Sequence, residues 1–288
     1  MLSSTKFIES GESESIVNDP CRGFLGHLTP SIIRHYPYRG KEQFLIDFKH
    51  AVDTNSYTSE WLMVSGVNSE VFNADFLECQ STPFSAWCAF DPELELLLIR
   101  TVISAPHEVA SETFHEILLE VLIPAGLNRK LIKLGSTAHF AVIGGKQADK
   151  AWRPLHKPRD RTDNWPSVVL EVAYSETAKK LQGDVRYWLR ASGGDVKIAL
   201  ALEIDRRKPM ITIEKWDISG NGRKHLEQHI VISRKAGNII INGAPLTIEF
   251  EKLFLRPREI PKEQEIELNE DRLGYLASQI WNVQTFQG

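Results

Sequence analysis

Apolar residues recur along this chain in two rhythms. The run Leu94-Glu-Leu-Leu-Leu-Ile-Arg-Thr-Val-Ile103 is nearly unbroken and predicts a strand. After it the spacing changes to three and four, at Ala110, Phe114, Ile117, Leu118 and Val121. That spacing predicts a helix with Ser104 as its cap, Pro106 in its first turn, and Pro124 with Gly126 at its end. On this helix His107 falls on the apolar side and Glu108 at its border, while Glu112 and Glu116 face water. Residues 131–134 and 138–143, separated by Gly135-Ser-Thr, read as a hairpin. Val168, Val169, Leu170 and Val172 predict a strand buried on both faces. A helix follows, with a cap at Ser175 to Thr177, apolar positions Ala178, Leu181, Val185, Trp188 and Leu189, and Gly193-Gly194 as its end. Residues 195–204 then read as a strand, and the alternation of residues 210–216 gives it an antiparallel neighbour.

Outside this stretch the pattern is less regular. Residues 41–52 predict a helix through Phe44, Leu45, Phe48 and Val52, and residues 59–67 a strand or a helix end. Short strands are expected at 226–233, 239–241 and 246–248, and a short helix at 250–255. An acidic linker spans Glu263 to Glu267, and a terminal helix capped by Asn269 runs to Trp281. The expected organisation is a disordered, Ser- and Glu-rich segment 1–19 and one domain over 20–288. Within it, 20–93 is an N-terminal elaboration, 94–216 the core, and 217–288 the C-terminal strands and helix.

Composition adds bounds. The chain has 288 residues, 42% hydrophobic and 25% charged, which suits a globular protein with a sizeable core. It has neither an apolar run long enough to span a membrane nor a basic start followed by an apolar segment, so a cytoplasmic or nuclear location is expected. Cys21, Cys79 and Cys88 are widely spaced and suggest neither a disulfide framework nor a zinc site. A net charge of −4 argues against a broad polyanion-binding surface. The densest basic stretch, Lys150 to Arg161, is broken by Pro154 and Pro158 and reads as an exposed loop, either solvated or contacting an anion.

One residue departs from the pattern. Glu171 sits in the middle of the apolar strand, where an ionised carboxylate is costly unless it is paired, hydrogen-bonded or bound to a cation. It is either a metal or substrate ligand, or a structural carboxylate held by amides or an arginine.

Helix, strand, strand, strand, helix, strand, with Asp149 after the second strand and Glu171 inside the third, resembles the PD-(D/E)XK nuclease superfamily. The wording of residues 166–175, the helix ending in Trp188-Leu189, Phe250 to Arg256 and the Leu273 to Trp281 helix resemble fungal restriction-endonuclease-like proteins, and more distantly the bacterial ones. The resemblance covers residues 90 to 288. It implies an α/β (α+β) fold with a restriction-endonuclease-like mixed sheet in the order α-β-β-β-α-β, flanked by helices, with added antiparallel strands and a C-terminal helix. It also implies that Asp149, Glu171 and Glu108 hold Mg²⁺ or Mn²⁺ for phosphodiester hydrolysis.

The sequence departs from the motif at two positions: Ala173 stands where its lysine belongs, and Ala148 replaces its proline. Lys180, one turn into the next helix, could return an ammonium to the site, or could pair with Asp184 four residues on. Asp149 could equally be a loop aspartate beside Gly144-Gly145, Glu108 a residue favoured by the helix dipole, and His107 a core histidine.

Three functions follow. The first is a metal-dependent phosphodiesterase or nuclease-type hydrolase lacking the motif lysine. The second is a repurposed enzyme doing acid–base or cyclisation chemistry on a small molecule in fungal metabolism, with His107, Glu171 and Lys180 as its polar groups. The third is a non-catalytic binding module using the Lys150 to Arg161 loop. The partner is therefore nucleic acid or a small-molecule substrate and not a membrane, with a homodimer left open.

Overall fold

The computed structural model describes residues 33–286 other than 54–60, 80, 82, 175–177 and 221. The predicted disordered start and the Ser175 to Thr177 cap lie outside the described residues.

Two mixed sheets stack on each other. The first has the order β1-β2-β4-β3-β7-β6, from β1 (Ile33–Pro37), β2 (Trp61–Ser65), β3 (Trp87–Asp91), β4 (Leu96–Arg100), β6 (Ala138–Ala141) and β7 (Gly144–Gln147). The second has the order β13-β12-β11-β10-β9-β8-β5. Its members are β5 (Leu131–Lys133), β8 (Lys150–Pro154), β9 (Val168–Ala173), β10 (Ile198–Ile204), β11 (Met210–Ile218), β12 (Lys224–Lys235) and β13 (Asn238–Asn242). A small ladder joins β14 (Leu246–Ile248) to β15 (Ile266–Leu268). The helices are α1 (Lys41–Asp53), α2 (Ala105–Leu122), α3 (Ala178–Ala191), α4 (Phe250–Phe254) and α5 (Glu270–Val283).

Period-two alternation along β9 divides the core. Val168, Leu170 and Val172 pack with Phe114 and Leu118 of α2 and Leu276 and Ile280 of α5. Val169 and Ala173 face the other way, among Leu181, Val185 and Trp188 of α3 and Trp61, Ala89 and Leu98 of the first sheet. A third cluster sets Phe44 and Phe48 of α1 against the outer face of that sheet. By the same alternation Glu171 points into the layer between the two sheets.

The strand β9 runs parallel to β10 through α3 and antiparallel to β8, which pairs antiparallel with β5. With α2 in front, the order α2-β5-β8-β9-α3-β10 is the restriction-endonuclease-like α-β-β-β-α-β core.

The structure corrects three expectations. Residues 131–134 and 138–143 do not form a hairpin with each other: β5 pairs with β8, while β6 turns back on β7 in the other sheet. Gly144-Gly145 makes this second pairing feasible. A Cβ on Gly144 would lie 2.2 Å from the Phe90 carbonyl oxygen, and a Cβ on Gly145 2.4 Å from the Phe140 ring. The second core strand is therefore Lys150–Pro154, with Asp149 just before it.

The expected exposed loop from Lys150 is accordingly half strand, with Ala151 and Trp152 buried. Three of its cations are engaged within the chain: Lys150 with Glu112, Arg153 with Asp163 at 2.8 Å, and Arg161 with the Pro166 carbonyl at 2.9 Å. The acidic linker is also structural, since Glu263 is buried against Arg256 and residues 266–268 are strand β15.

Candidate functional site

The register Lys150↔Leu170 continues one step to set Asp149 opposite Glu171 on the inter-sheet side of the second sheet. Each carboxylate meets a different set of partners.

Asp149 Oδ2 accepts a hydrogen bond from the Val172 backbone amide at 2.7 Å. Its Oδ1 lies 2.9 Å from Arg100 Nη1 and 3.1 Å from His107 Nε2, and Arg100 Nη1 is 3.0 Å from the same imidazole nitrogen. Arg100 ends β4, and its guanidinium lies over the Trp61 ring, 4.6 Å from the centroid. Burial alone would raise the Asp149 pKa, but the charges of His107 and Arg100 and the Val172 amide outweigh it. They hold this carboxyl well below the ordinary carboxylate range.

Glu171 is 4% exposed. Its Oε1 accepts the indole N–H of Trp188 and lies 3.3 Å from Lys146 Nζ. Lys146 also lies 3.2 Å from Asp184, which holds Lys180 at 2.6 Å, and the Lys180 ammonium lies 4.8 Å from the Trp61 ring centroid. Two lysines and two carboxylates thus form a chain of charges between the sheets. Burial, the nearby Asp184 and Asp149 against the pull of Lys146 push the Glu171 carboxyl up to about 8. Burial would lower the Lys146 pKa, but Asp184 and Glu171 raise it instead, so Lys146 stays charged and Glu171 is the member that takes up a proton.

A cleft of 410 Å³ opens at this end of the sheets. Arg100, His107, Glu108, Ser111, Asp149 and Lys150 are among the residues on its wall, whereas Glu171, Lys146 and Lys180 lie behind it. His107 is 6% exposed, and its Nδ1 is buried with no hydrogen-bond partner. Glu108 is exposed at the start of α2, on the cleft wall.

Of the residues singled out from the sequence, Asp149, His107 and Glu108 thus meet at the cleft, and Glu171 lies behind it. Lys180 is spent on Asp184, and the ammonium at Glu171 is that of Lys146. The Lys180–Asp184 pair is one of the two outcomes the spacing left open, whereas Arg100, Lys146 and Trp188 were missed as parts of this site. Two signals could have found two of them. Arg100 is a lone cation in an apolar strand, and Lys180, Asp184 and Trp188 recur every four residues, one stripe of a helix. Lys146 had no such signal, because its burial depends on a pairing between sheets.

The donor set does not fit the Mg²⁺ or Mn²⁺ ion implied by the resemblance. A divalent ion shared by Asp149 and Glu171 needs free carboxylate oxygens. Both Asp149 oxygens are taken by protein donors, and Lys146 stands on Glu171 Oε1.

No family model matches the chain, and no curated protein matches it. Among solved structures it is similar to a "putative nuclease belonging to DUF820" from Anabaena variabilis, with a TM-score of 0.35 and 10% identity over 64% of this chain and 87% of that one. The fold rests on the strand order given above. No helix among the described residues is long and apolar enough to cross a membrane.

Proposed function

We propose that this chain is a nuclease-fold protein that performs acid–base chemistry on a small polar molecule, with His107 as the group that moves the proton. The observation that carries the reading is the division of labour around Asp149. Both of its oxygens are occupied, by the Val172 amide and by Arg100 with His107, while His107, on the wall of a cleft, keeps a buried Nδ1 that has no hydrogen-bond partner. An imidazole held at one nitrogen by a carboxylate and free at the other is the arrangement by which a base is oriented and its protonated form stabilised. Asp149 and Arg100 are then positioning residues, and His107 is the residue that moves the proton.

Cleft size and charge favour a small substrate over a polymer. A volume of 410 Å³ lies within the roughly 300–1,000 Å³ of small-ligand pockets. Arg100 and Lys150 on its wall are matched by Asp149 and Glu112, and with Glu108 beside them and a net charge of −4 the cleft offers no broad cationic surface to a polyanionic backbone. The restriction-endonuclease-like residues of fungal type are, on this reading, the inherited frame, and Glu171 with Lys146 belongs to its interior.

Ligand-observed NMR with a library of small polar compounds tests the proposal. Hits should bind the parent and be lost in His107→Gln, with circular dichroism showing an intact fold. Mn²⁺-dependent cleavage of DNA or RNA by the parent, abolished in Glu171→Ala, would overturn it in favour of metal-dependent hydrolysis.

A further inference from the structure

The strands β9 and β10 run parallel, so their carboxyl ends open on the same edge of the second sheet. Open α/β sheets bind ligands in the crevice just beyond such ends. Here that crevice is a cavity of 260 Å³ whose wall includes Tyr174, Glu203, Asp205, Arg206, Arg207 and Thr212. It shares no lining residue with the cleft at His107.

Its opposite charges are held apart. Among the described residues no ion pair joins Glu203 or Asp205 to Arg206 or Arg207, although the four are near neighbours in sequence. Asp205 Oδ1 is taken up by the turn, accepting the Arg207 amide at 2.8 Å and the Lys208 amide at 3.1 Å. Arg206 lies over the Tyr174 ring, 5.2 Å from the centroid, which leaves the in-plane N–H groups of the guanidinium for another acceptor. Its Nε is buried without a hydrogen-bond partner, so the two Nη groups are the donors that a ligand meets.

Glu203 has the complementary deficit. Across the ladders it stands between Ala173 and Thr212, and neither brings a cation. Burial, with Glu214 and Asp205 near, raises its pKa, so a positive charge arriving from outside is favoured beside it.

We propose that this cavity binds a small zwitterion of the free amino acid class, its carboxylate on the Arg206 Nη groups and its ammonium on Glu203. The edge of a guanidinium matches a carboxylate through two parallel hydrogen bonds. Three residues apart, Glu203 and Arg206 have Cα atoms at most about 11 Å from each other, a gap that two long side chains close onto one ligand. A simple anion would leave Glu203 without a cation, and a simple cation would leave Arg206 without an acid. The volume, below the roughly 300–1,000 Å³ of drug-sized pockets, limits the guest to a small molecule.

Calorimetry of the full chain against each of the proteinogenic L-amino acids tests this, with acetate and ethylamine as probes carrying one charge each. At least one amino acid should bind, one per chain, and acetate and ethylamine should bind at least about tenfold more weakly. Arg206→Gln and Glu203→Gln should each weaken that amino acid at least about tenfold, the worth of a hydrogen bond to a charged group. Both side chains are part-exposed, so circular dichroism should show the fold intact. His107→Gln, in the separate cleft, should titrate like the parent. No binding by any amino acid, equal binding of acetate, or undiminished binding by Arg206→Gln overturns the proposal. Loss of binding in His107→Gln overturns it too, by placing the guest in the other cleft.

Discussion

Replacing Glu171 by Gln should make the protein relatively more stable as pH rises. Glutamine keeps an oxygen for the Trp188 indole N–H but cannot ionise, and Lys146 retains Asp184 at 3.2 Å. In the parent, burial holds the Glu171 carboxyl at about 8, above its value of 4.5 in an unfolded chain. A raised acid stabilises the fold fully below the unfolded value, and that stability is lost as pH rises through the folded value. Between 4.5 and about 8 the folded parent holds the extra proton, so its stability falls by up to about 1.4 kcal/mol per pH unit. The variant lacks this slope. Urea unfolding followed by tryptophan fluorescence at pH 5, 6, 7 and 8 should show the variant within about 1 kcal/mol of the parent at pH 5. It should gain on the parent by roughly 3–4 kcal/mol by pH 8. A stability difference that stays flat from pH 5 to 8 would refute the reasoning, because it would mean that Glu171 is ionised throughout.

Three further perturbations have defined outcomes. Arg100→Met removes the guanidinium from Asp149 and Trp61 and should cost about 2–3 kcal/mol in urea unfolding. That is less than the 3–5 of a fully buried broken pair, since both side chains keep a little exposure. Gly144→Ala forces a Cβ to 2.2 Å from the Phe90 carbonyl oxygen at φ +139° and should cost at least about 2 kcal/mol, read from the same transition. Ser167→Ala removes the hydroxyl that donates to the Leu253 carbonyl at 2.7 Å. It should cost about 1–2 kcal/mol, measured as a lower urea midpoint at unchanged slope.

The central strands and helices were legible because their signal is local. Residues 168–173 read as a doubly buried strand, and they are buried at every position. The stripes of α2 and α3 were equally plain, since amphipathic spacing needs no knowledge of the partner. The hairpin failed for the opposite reason. Ala138–Ala141 could close on Leu131–Lys133 or on Gly144–Gln147, and only the fit of Gly144 and Gly145 against Phe90 and Phe140 decides. The site divides in the same way. Glu171 was conspicuous because a charge in an apolar strand violates a local rule. The identity of its partner was not, because Lys146 arrives from another sheet, whereas Lys180 was adjacent in sequence and therefore looked available. The basic stretch misled because prolines advertise a loop, while the burial of Trp152 and the anchoring of Arg161 depend on contacts distant in sequence.

Arg100, His107 and the Val172 amide occupy Asp149, and Glu171 holds its proton beside Lys146, which leaves a bridging metal no free pair of carboxylates. The most direct measurement is anomalous diffraction from crystals of the protein soaked in Mn²⁺. No peak is expected between Asp149 and Glu171, with Arg100 and His107 still on Asp149 and Lys146 still on Glu171. A Mn²⁺ peak bridging the two carboxylates, with Arg100 and Lys146 displaced, would contradict it.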